Sequence, residues 1–199
     1  MTETDYVGRG GDKLEFALNK LDLDVSGATA ADFGCNIGGF TDCLLQRGAQ
    51  RVYAVDTGYG MFEWKLRNDD RVIVMERTNA MHVSLPEPMD IITADVGWTR
   101  QRHILPNALR RISNDGFILS LFKPQYEAED ALIHGGVVPP DDFDLVLRRS
   151  LAELAEMGIR VRHIVQLPRQ KESKNLEAWL HILPKDCRHQ NGDASSSED

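Results

Sequence analysis

"ATAADFGCNIGGFTDCLLQRGAQRVYAVD", residues 28–56, decides the fold. Residues 28–33 are small and apolar and long enough for one strand. A turn with Gly34, Gly38 and Gly39 follows. "GFTDCLLQRG" (39–48) then carries apolar residues at helical spacing and ends on a glycine suited to the left-handed position after a helix. "RVYAVD" (51–56) is a second strand-length run. Strand, glycine turn, helix and strand form the unit of a parallel sheet, because a parallel connection needs a helix-length crossover.

The alternation continues both ways. Upstream, "DKLEFALNKL" (12–21) places Leu14, Leu18 and Leu21 on one stripe. Downstream, "YGMFEWKLRN" (59–68) reads as a short helix, and "RVIVME" (71–76) and "MDIITADV" (89–96) as the third and fourth strands. "HILPNALRRIS" (103–113) is expected to be helical despite Pro106, which can sit in its first turn. "NDG" (114–116) is a turn into the fifth strand, "GFILSLF", which ends at Lys123 and Pro124. "DDFDLVLRRSLAELAEMG" (141–158) is an amphipathic helix, with Asp141 or Asp142 as cap and Gly158 at its end. "IRVRHIVQL" and "NLEAWLHIL" close the chain as a pair of strands. The expectation is an α/β fold: an open, mostly parallel, doubly wound sheet with an antiparallel C-terminal hairpin. One domain, residues 1–185, is expected, followed by a polar, acidic and disordered tail, 186–199.

No apolar run reaches the roughly 18 residues of a membrane span, and the N-terminus carries no hydrophobic leader, so the cytoplasm is the expected location. Cys35, Cys43 and Cys187 share no metal-ligand spacing and the histidines are scattered, so no metal is expected. The net charge is −8. An acidic body binds RNA poorly unaided, since counterion release needs clustered cations. A nucleic-acid role would need a local basic rim or a protein partner supplying RNA affinity. The rim candidates are Arg9, Lys13, Lys65, Arg67, Arg100, Arg102, Lys123, Arg169, Lys171 and Lys174. Arg148 and Arg149 read as the solvated face of their helix.

In open α/β sheets, ligands bind beyond the carboxyl ends of the strands. The glycine turn is therefore a cofactor candidate, and Asp56, at the end of the second strand, is placed to take ribose hydroxyls. A dinucleotide prefers G-x-G-x-x-G, but Asn36 occupies the middle glycine position and Asp32 precedes the turn. A carboxylate facing into the turn would repel a pyrophosphate and tolerate the sulfonium and ammonium of S-adenosylmethionine. That favours S-adenosylmethionine over NAD. A turn that only packs helix on sheet remains open.

Three charged residues fall near the same strand ends. Asp95 tips the fourth strand and Lys123 the fifth, which are neighbours in the usual strand order. Glu177 shares a strand face with Trp179, opposite Leu176, Ala178, Leu180 and Ile182. Singly, each is ordinarily a solvated strand end. A lysine titrates near 10.4 in the absence of neighbours, and desolvation or a second cation lowers that value while carboxylates oppose the shift. Two lysines with two carboxylates are electroneutral and can poise one amine to accept a hydroxyl proton.

"GRGGDKLEFAL" (8–18), residues 34–60, "WKLRNDDRVIVMERTNA" (64–80), "LFKPQYEA" (121–128) and "KNLEAWLHI" (174–182) together resemble the FtsJ-like ribose methyltransferases, within them the TlyA (hemolysin-like) branch that methylates ribosomal RNA. The resemblance covers roughly residues 6–183. It implies a Rossmann-like methyltransferase fold, S-adenosylmethionine as cofactor, and a ribose 2′-hydroxyl of RNA as acceptor. It also implies a catalytic tetrad of Lys13, Asp95, Lys123 and Glu177. Lys123 would take the proton, oriented by Asp95 and Glu177, while Lys13 would steady the attacking oxygen and depress the neighbouring amine. Gly34, Gly38, Gly39 and Phe40 would contact the methionine part, Asp56 the ribose, and Asn79 would lie near the adenine, with Asp32, Asn36 and Asp95 completing the cofactor site.

The chain departs from the family pattern in four places. Read from "YVGRGG" onward, it is expected to lack the RNA-binding domain that usually precedes this core. Its turn reads "GCNIGGF" where small residues are usual. Gly97 and Trp98 replace a serine and a phenylalanine, and "PRQKESKNLEAW" (168–179) carries added charge. Amino-group methylation is disfavoured because "ADVGWT" (94–99) lacks the Pro-Pro-aromatic step, and pyrimidine carbon methylation because no cysteine falls in the cleft. A cofactor-binding module of the same fold without transfer activity is the alternative from another class. An NAD-dependent oxidoreductase is disfavoured by Asp32 and by the lack of a hydride-handling His or Tyr constellation.

Overall fold

The computed structural model describes residues 5–169 and 174–187. β1 (Thr29–Phe33) runs through the middle of a sheet and pairs in parallel with β2 (Arg51–Val55) on one side and β4 (Met89–Ala94) on the other. Outside β2 lies β3 (Val72–Met75), and outside β4 lies β5 (Ile112–Phe122), both parallel. The sheet is completed by β7 (Ala178–Ile182), antiparallel to β5, and β6 (Val161–Gln166), antiparallel to β7. The order is β3-β2-β1-β4-β5-β7-β6. The chain builds outward from β1 to β3, then returns to lay β4 on β1's other edge. That reversal opens a crevice at the carboxyl ends of β1 and β4.

Both faces of the central strands are covered, which is why β1, β2, β4 and β7 are buried over almost their whole length, while the edge strands β3 and β6 are partly exposed. One face packs α1 (Arg9–Leu21), α2 (Gly39–Gln46) and α3 (Trp64–Arg67) against Ala30, Val52, Ile91, Leu119 and Trp179. The other packs α4 (Gln101–Arg111) and α6 (Phe143–Glu156) against Phe33, Tyr53, Ile92, Ile118 and Leu180. A short α5 (Pro124–Glu127) follows β5. Leu14 and Leu18, from the stripe read in the sequence, have no exposed surface, and each contributes about 1.5–3 kcal/mol by leaving water. As the sequence pattern required, Ala178, Leu180 and Ile182 face one core and Trp179 the other.

Gly48 and Gly158 take the left-handed conformations expected after α2 and α6, with φ of 92° and 79°. Other local expectations are corrected. The "NDG" turn is absorbed into β5: Met89 pairs with Ile112, but Ile91 pairs with Phe117, so the extra residues bulge and expose Asn114 and Asp115. Pro106 lies inside α4 because the helix starts at Gln101, so the carbonyl one turn earlier loses its donor. α3 is one turn long. Asp142 occupies the N-cap position of α6 without a side-chain capping bond, since a 3₁₀ turn over Pro140–Asp142 leads into the helix. Beyond Cys187 the expected tail lies outside the described residues; Asp186 ends a 3₁₀ turn.

Candidate active site

Gly34 begins the site. Its N–H donates to the Val55 carbonyl at 2.8 Å, and its φ is +84°. A Cβ there would stand 2.3 Å from the Asp95 carbonyl oxygen. The β1 and β4 tips therefore approach more closely than any residue but glycine allows. On the β4 side, the Asp95 N–H donates to the Phe33 carbonyl at 2.8 Å. At Gly39 a Cβ would lie 3.0 Å from the Gly11 nitrogen, so the first turns of α2 and α1 meet backbone to backbone.

Asp56 sits just past β2. Its carboxylate accepts from the Asn36 N–H at 2.8 Å and the Gly58 N–H at 2.7 Å, which fixes it beside the turn. Asp32 departs from the expectation. It is completely buried and accepts from the Thr41 N–H (3.0 Å), the Thr41 hydroxyl (2.8 Å) and the Thr93 hydroxyl (3.2 Å). Burial, only partly offset by those donors, pushes its carboxyl up to about 7. Asp32 therefore braces the first turn of α2 instead of lining the crevice. Gly38 is likewise structural: with φ of 103°, its Cα faces Leu66 and Phe62.

Past the strand tips, Lys123 Nζ is ion-paired with Asp95, and Lys13 Nζ donates to Glu177 at 2.6 Å. The Lys13 and Glu177 side chains are 16% and 11% exposed, so this second pair is largely withdrawn from water. The Trp179 indole N–H donates to the Lys13 carbonyl at 3.0 Å and anchors α1 on β7. Burial pulls the Lys123 ammonium down, but Asp95 and then Glu177 outweigh it, and the net direction is up. The sequence-based expectation of a depressed amine is corrected: without ligand, this amine is held as a cation.

Two cavities of about 330 Å³ and 510 Å³ meet at Gly34, Asn36 and Asp95. The smaller is lined by Lys13, Gly39, Phe40 and Glu177, and the larger by Asp56, Asn79 and Lys123. The four residues expected as a tetrad thus line two cavities that share a wall. The donor set fits S-adenosylmethionine: a bare glycine backbone on one wall, an acid able to take ribose hydroxyls at Asp56, and a carboxylate, Asp95, where the two cavities share a wall.

Among the lining residues that sequence reasoning did not select are Glu76, Met61 and Trp98. Glu76 follows β3 and accepts from the Gly60 N–H and from Arg67, both at 2.7 Å. The strand-end logic that selected Asp56 would also have found it. Met61 is 63% exposed at the mouth of the larger cavity. Trp98 is 92% exposed, holds a left-handed φ of 58°, and packs against Tyr126 with ring centroids 5.3 Å apart.

The basic rim is narrower than the sequence suggested. Lys65 pairs with Asp42, Arg67 with Glu76 and Arg102 with Glu153, besides the two tetrad lysines. Arg169 and Lys174 lie exposed on the β6–β7 connection, and Lys171 is outside the described residues. Among the described residues, no group of three or more His, Cys, Asp or Glu side chains could hold a metal, and no helix is long and apolar enough to cross a membrane.

Comparison with known proteins gives one consistent result. A family model described as FtsJ-like methyltransferase matches residues 6–181. The 16S/23S rRNA (cytidine-2′-O)-methyltransferase TlyA of Mycobacterium tuberculosis is 38% identical over 91% of this chain and 69% of its own length. Hemolysin A of Brachyspira hyodysenteriae is 33% identical over 89% of this chain and 77% of its own length. Across the curated relatives, the matched part spans 65% to 77% of the relative. A solved structure of a hemolysin-named protein from Lactococcus lactis superposes with a TM-score of 0.85 at 32% identity, covering 93% of this chain and 91% of that one.

Proposed function

The chain belongs to the FtsJ-like methyltransferase family, and from that premise we propose that it methylates a ribose 2′-hydroxyl of RNA, with ribosomal RNA the first candidate. S-adenosylmethionine is the proposed methyl donor, and residues 1–185 the proposed methyltransferase domain. The observation that carries the reading is the convergence of the Lys123–Asp95 and Lys13–Glu177 pairs on one crevice behind the Gly34 turn.

The chemistry divides as follows. The bound cofactor supplies an electrophilic methyl group on a cationic sulfur. Gly34, Gly39 and Phe40 would hold its amino-acid end, Asp56 its ribose, and Asn79 would lie beside its base. Lys123 Nζ, aimed by Asp95, first gives up its own proton to solvent and then receives the proton of the ribose hydroxyl. Glu177 keeps Lys13 at the edge of the smaller cavity, where its ammonium can steady the incoming oxygen. Most of the acceleration comes from alignment: an oriented intramolecular encounter lowers a barrier by about 7–11 kcal/mol. RNA would cross the exposed Trp98 and the Arg169 and Lys174 side of the crevice, with a protein partner supplying affinity that an acidic body lacks.

Transfer of a tritiated methyl group from S-adenosylmethionine to ribosomal subunits and to bulk RNA, followed by nuclease mapping of the label to ribose, tests the reading. Wild-type protein should label ribose and Lys123→Ala should not. Label on a base, or equal labelling by both proteins, would overturn it.

A further inference from the structure

Asp95 and Lys123 face each other from different strands, and the sheet alone does not hold them there. The last registered pair between β4 and β5 is Ala94 with Ser120, and both functional residues lie past it. The structure supplies a substitute clamp. Gln101, the first residue of α4, is 3% exposed. Its amide nitrogen donates to the Leu121 carbonyl at 3.0 Å, and its amide oxygen accepts from the Ser120 hydroxyl at 2.6 Å. Its backbone N–H donates to Glu127 at 2.7 Å, while the other Glu127 oxygen accepts from the Ser150 hydroxyl at 3.2 Å. Arg100, at the N-cap of α4, makes no side-chain capping bond, so a carboxylate from α5 takes that place. Negative charge at a helix N-terminus is favourable there. Trp98 against Tyr126 adds a second strut between the same two segments.

We infer that Glu127 and Gln101 are positioning residues: a part-buried brace that sets the Asp95 tip of β4 against Lys123 at the tip of β5. The brace reaches substrate only through that ion pair, and the inference rests on the proposed role of Lys123. Glu127 suits a test because it also borders a cavity of about 210 Å³, so truncation widens an existing space instead of opening one in the core.

Glu127→Ala should lower the single-turnover methyl-transfer rate by about tenfold to a hundredfold, the effect of a displacement near 1 Å at the reacting groups. Cofactor affinity should stay within about twofold, because Glu127 is not part of either cofactor cavity. Glu127→Gln should restore the rate, since an amide can accept from the Gln101 N–H and donate to Ser150. Gln101→Ala should reproduce the loss, and the double variant should be no slower than the worse single one, as members of one clamp are non-additive. A second readout needs no turnover. In protein with ¹³C-labelled lysine side chains, Lys123 should titrate lower in Glu127→Ala, toward an ordinary lysine, and unchanged in Glu127→Gln.

The inference is overturned if Glu127→Ala lowers only the melting temperature while rate and Lys123 titration match the wild type, which would make Glu127 a fold anchor alone. The parallel Lys123→Ala control separates the two failures. If that protein transfers methyl groups normally, the assignment of the site is wrong, and the Lys123 titration alone still decides whether the brace holds the pair.

Discussion

Replacing Gly34 with alanine tests whether the crevice depends on one backbone contact. At φ of +84°, an alanine enters the left-handed region at a cost of about 1–2 kcal/mol. The larger obstacle is steric. The new Cβ would lie 2.3 Å from the Asp95 carbonyl oxygen and 2.9 Å from its carbonyl carbon, whereas ordinary contact begins at 3.4 Å. Both obstructing atoms are backbone, so no rotamer change relieves the clash and the strand tips must part by about 1 Å. Parting weakens the bond from the Asp95 N–H to the Phe33 carbonyl, worth about 0.5–1.5 kcal/mol. Together these come to about 1.5–3.5 kcal/mol, which corresponds to a melting temperature lower by about 3–14 °C for a domain of this size. The same shift carries Asp95 away from Lys123 and should reduce transfer by about a hundredfold. Thermal melts, calorimetry with S-adenosylmethionine and single-turnover transfer would measure the three consequences. A Gly34→Ala protein that melts within a degree or two of the wild type and turns over normally would refute the close-approach argument.

Two further predictions concern other parts of the molecule. His181 is buried, and burial, then His163 and Arg162, push its imidazole down to about 4. Its folded value lies below the unfolded one, so this stability is complete above about pH 6.5 and drains away toward pH 4, by about 1–3 kcal/mol. Urea midpoints at pH 7.5 and pH 5 should therefore differ more in wild type than in His181→Phe, and equal differences would remove His181 as the cause. Reversing charge at Arg169 and Lys174 together should weaken RNA binding several-fold and flatten its salt dependence, with cofactor affinity unchanged; equal loss of both affinities would place these residues in the cofactor site.

The legible parts of the fold are those set by short-range chemistry. The alternation of runs, the stripe on α1 and the glycines after α2 and α6 each follow from period or φ, and each is present. The bulge before Gly116 was not legible, because "NDG" satisfies a turn and a bulge equally and only pairing with β4 decides. At the site, the strand ends of β2, β4 and β5 pointed to Asp56, Asp95 and Lys123, all of which line the larger cavity. Asp32 misled because sequence gives its position at the end of β1 but not its direction. The side chain turns under the first turn of α2, where Thr41, with Thr93 of β4, satisfies it. The rim misled for a related reason: five of its cations had carboxylate partners distant in sequence, as with Arg102 and Glu153.

The charge state of Lys123 leads to the sharpest test of mechanism. Burial acts to free the amine, yet Asp95 and Glu177 reverse it and raise the ammonium above the ordinary lysine value. An amine held above the ordinary lysine value is almost wholly charged at pH 7.5, so the free base is scarce. Alignment contributes about 7–11 kcal/mol, so a scarce free amine can still carry the reaction if it is aimed. The two roles of Asp95 therefore oppose each other: it lowers the supply of base and directs what remains. Asp95→Asn should lower the Lys123 value, because burial then meets only the weaker opposition of Glu177, and the pH–rate curve should level off earlier. The rate at pH 7.5 should nonetheless fall, since aim is lost. Wild type should instead climb about tenfold per unit from pH 7 to 9, as the free-amine fraction does. An Asp95→Asn curve that levels off at the same pH as wild type would mean that Lys123 is not the group whose proton the reaction waits on.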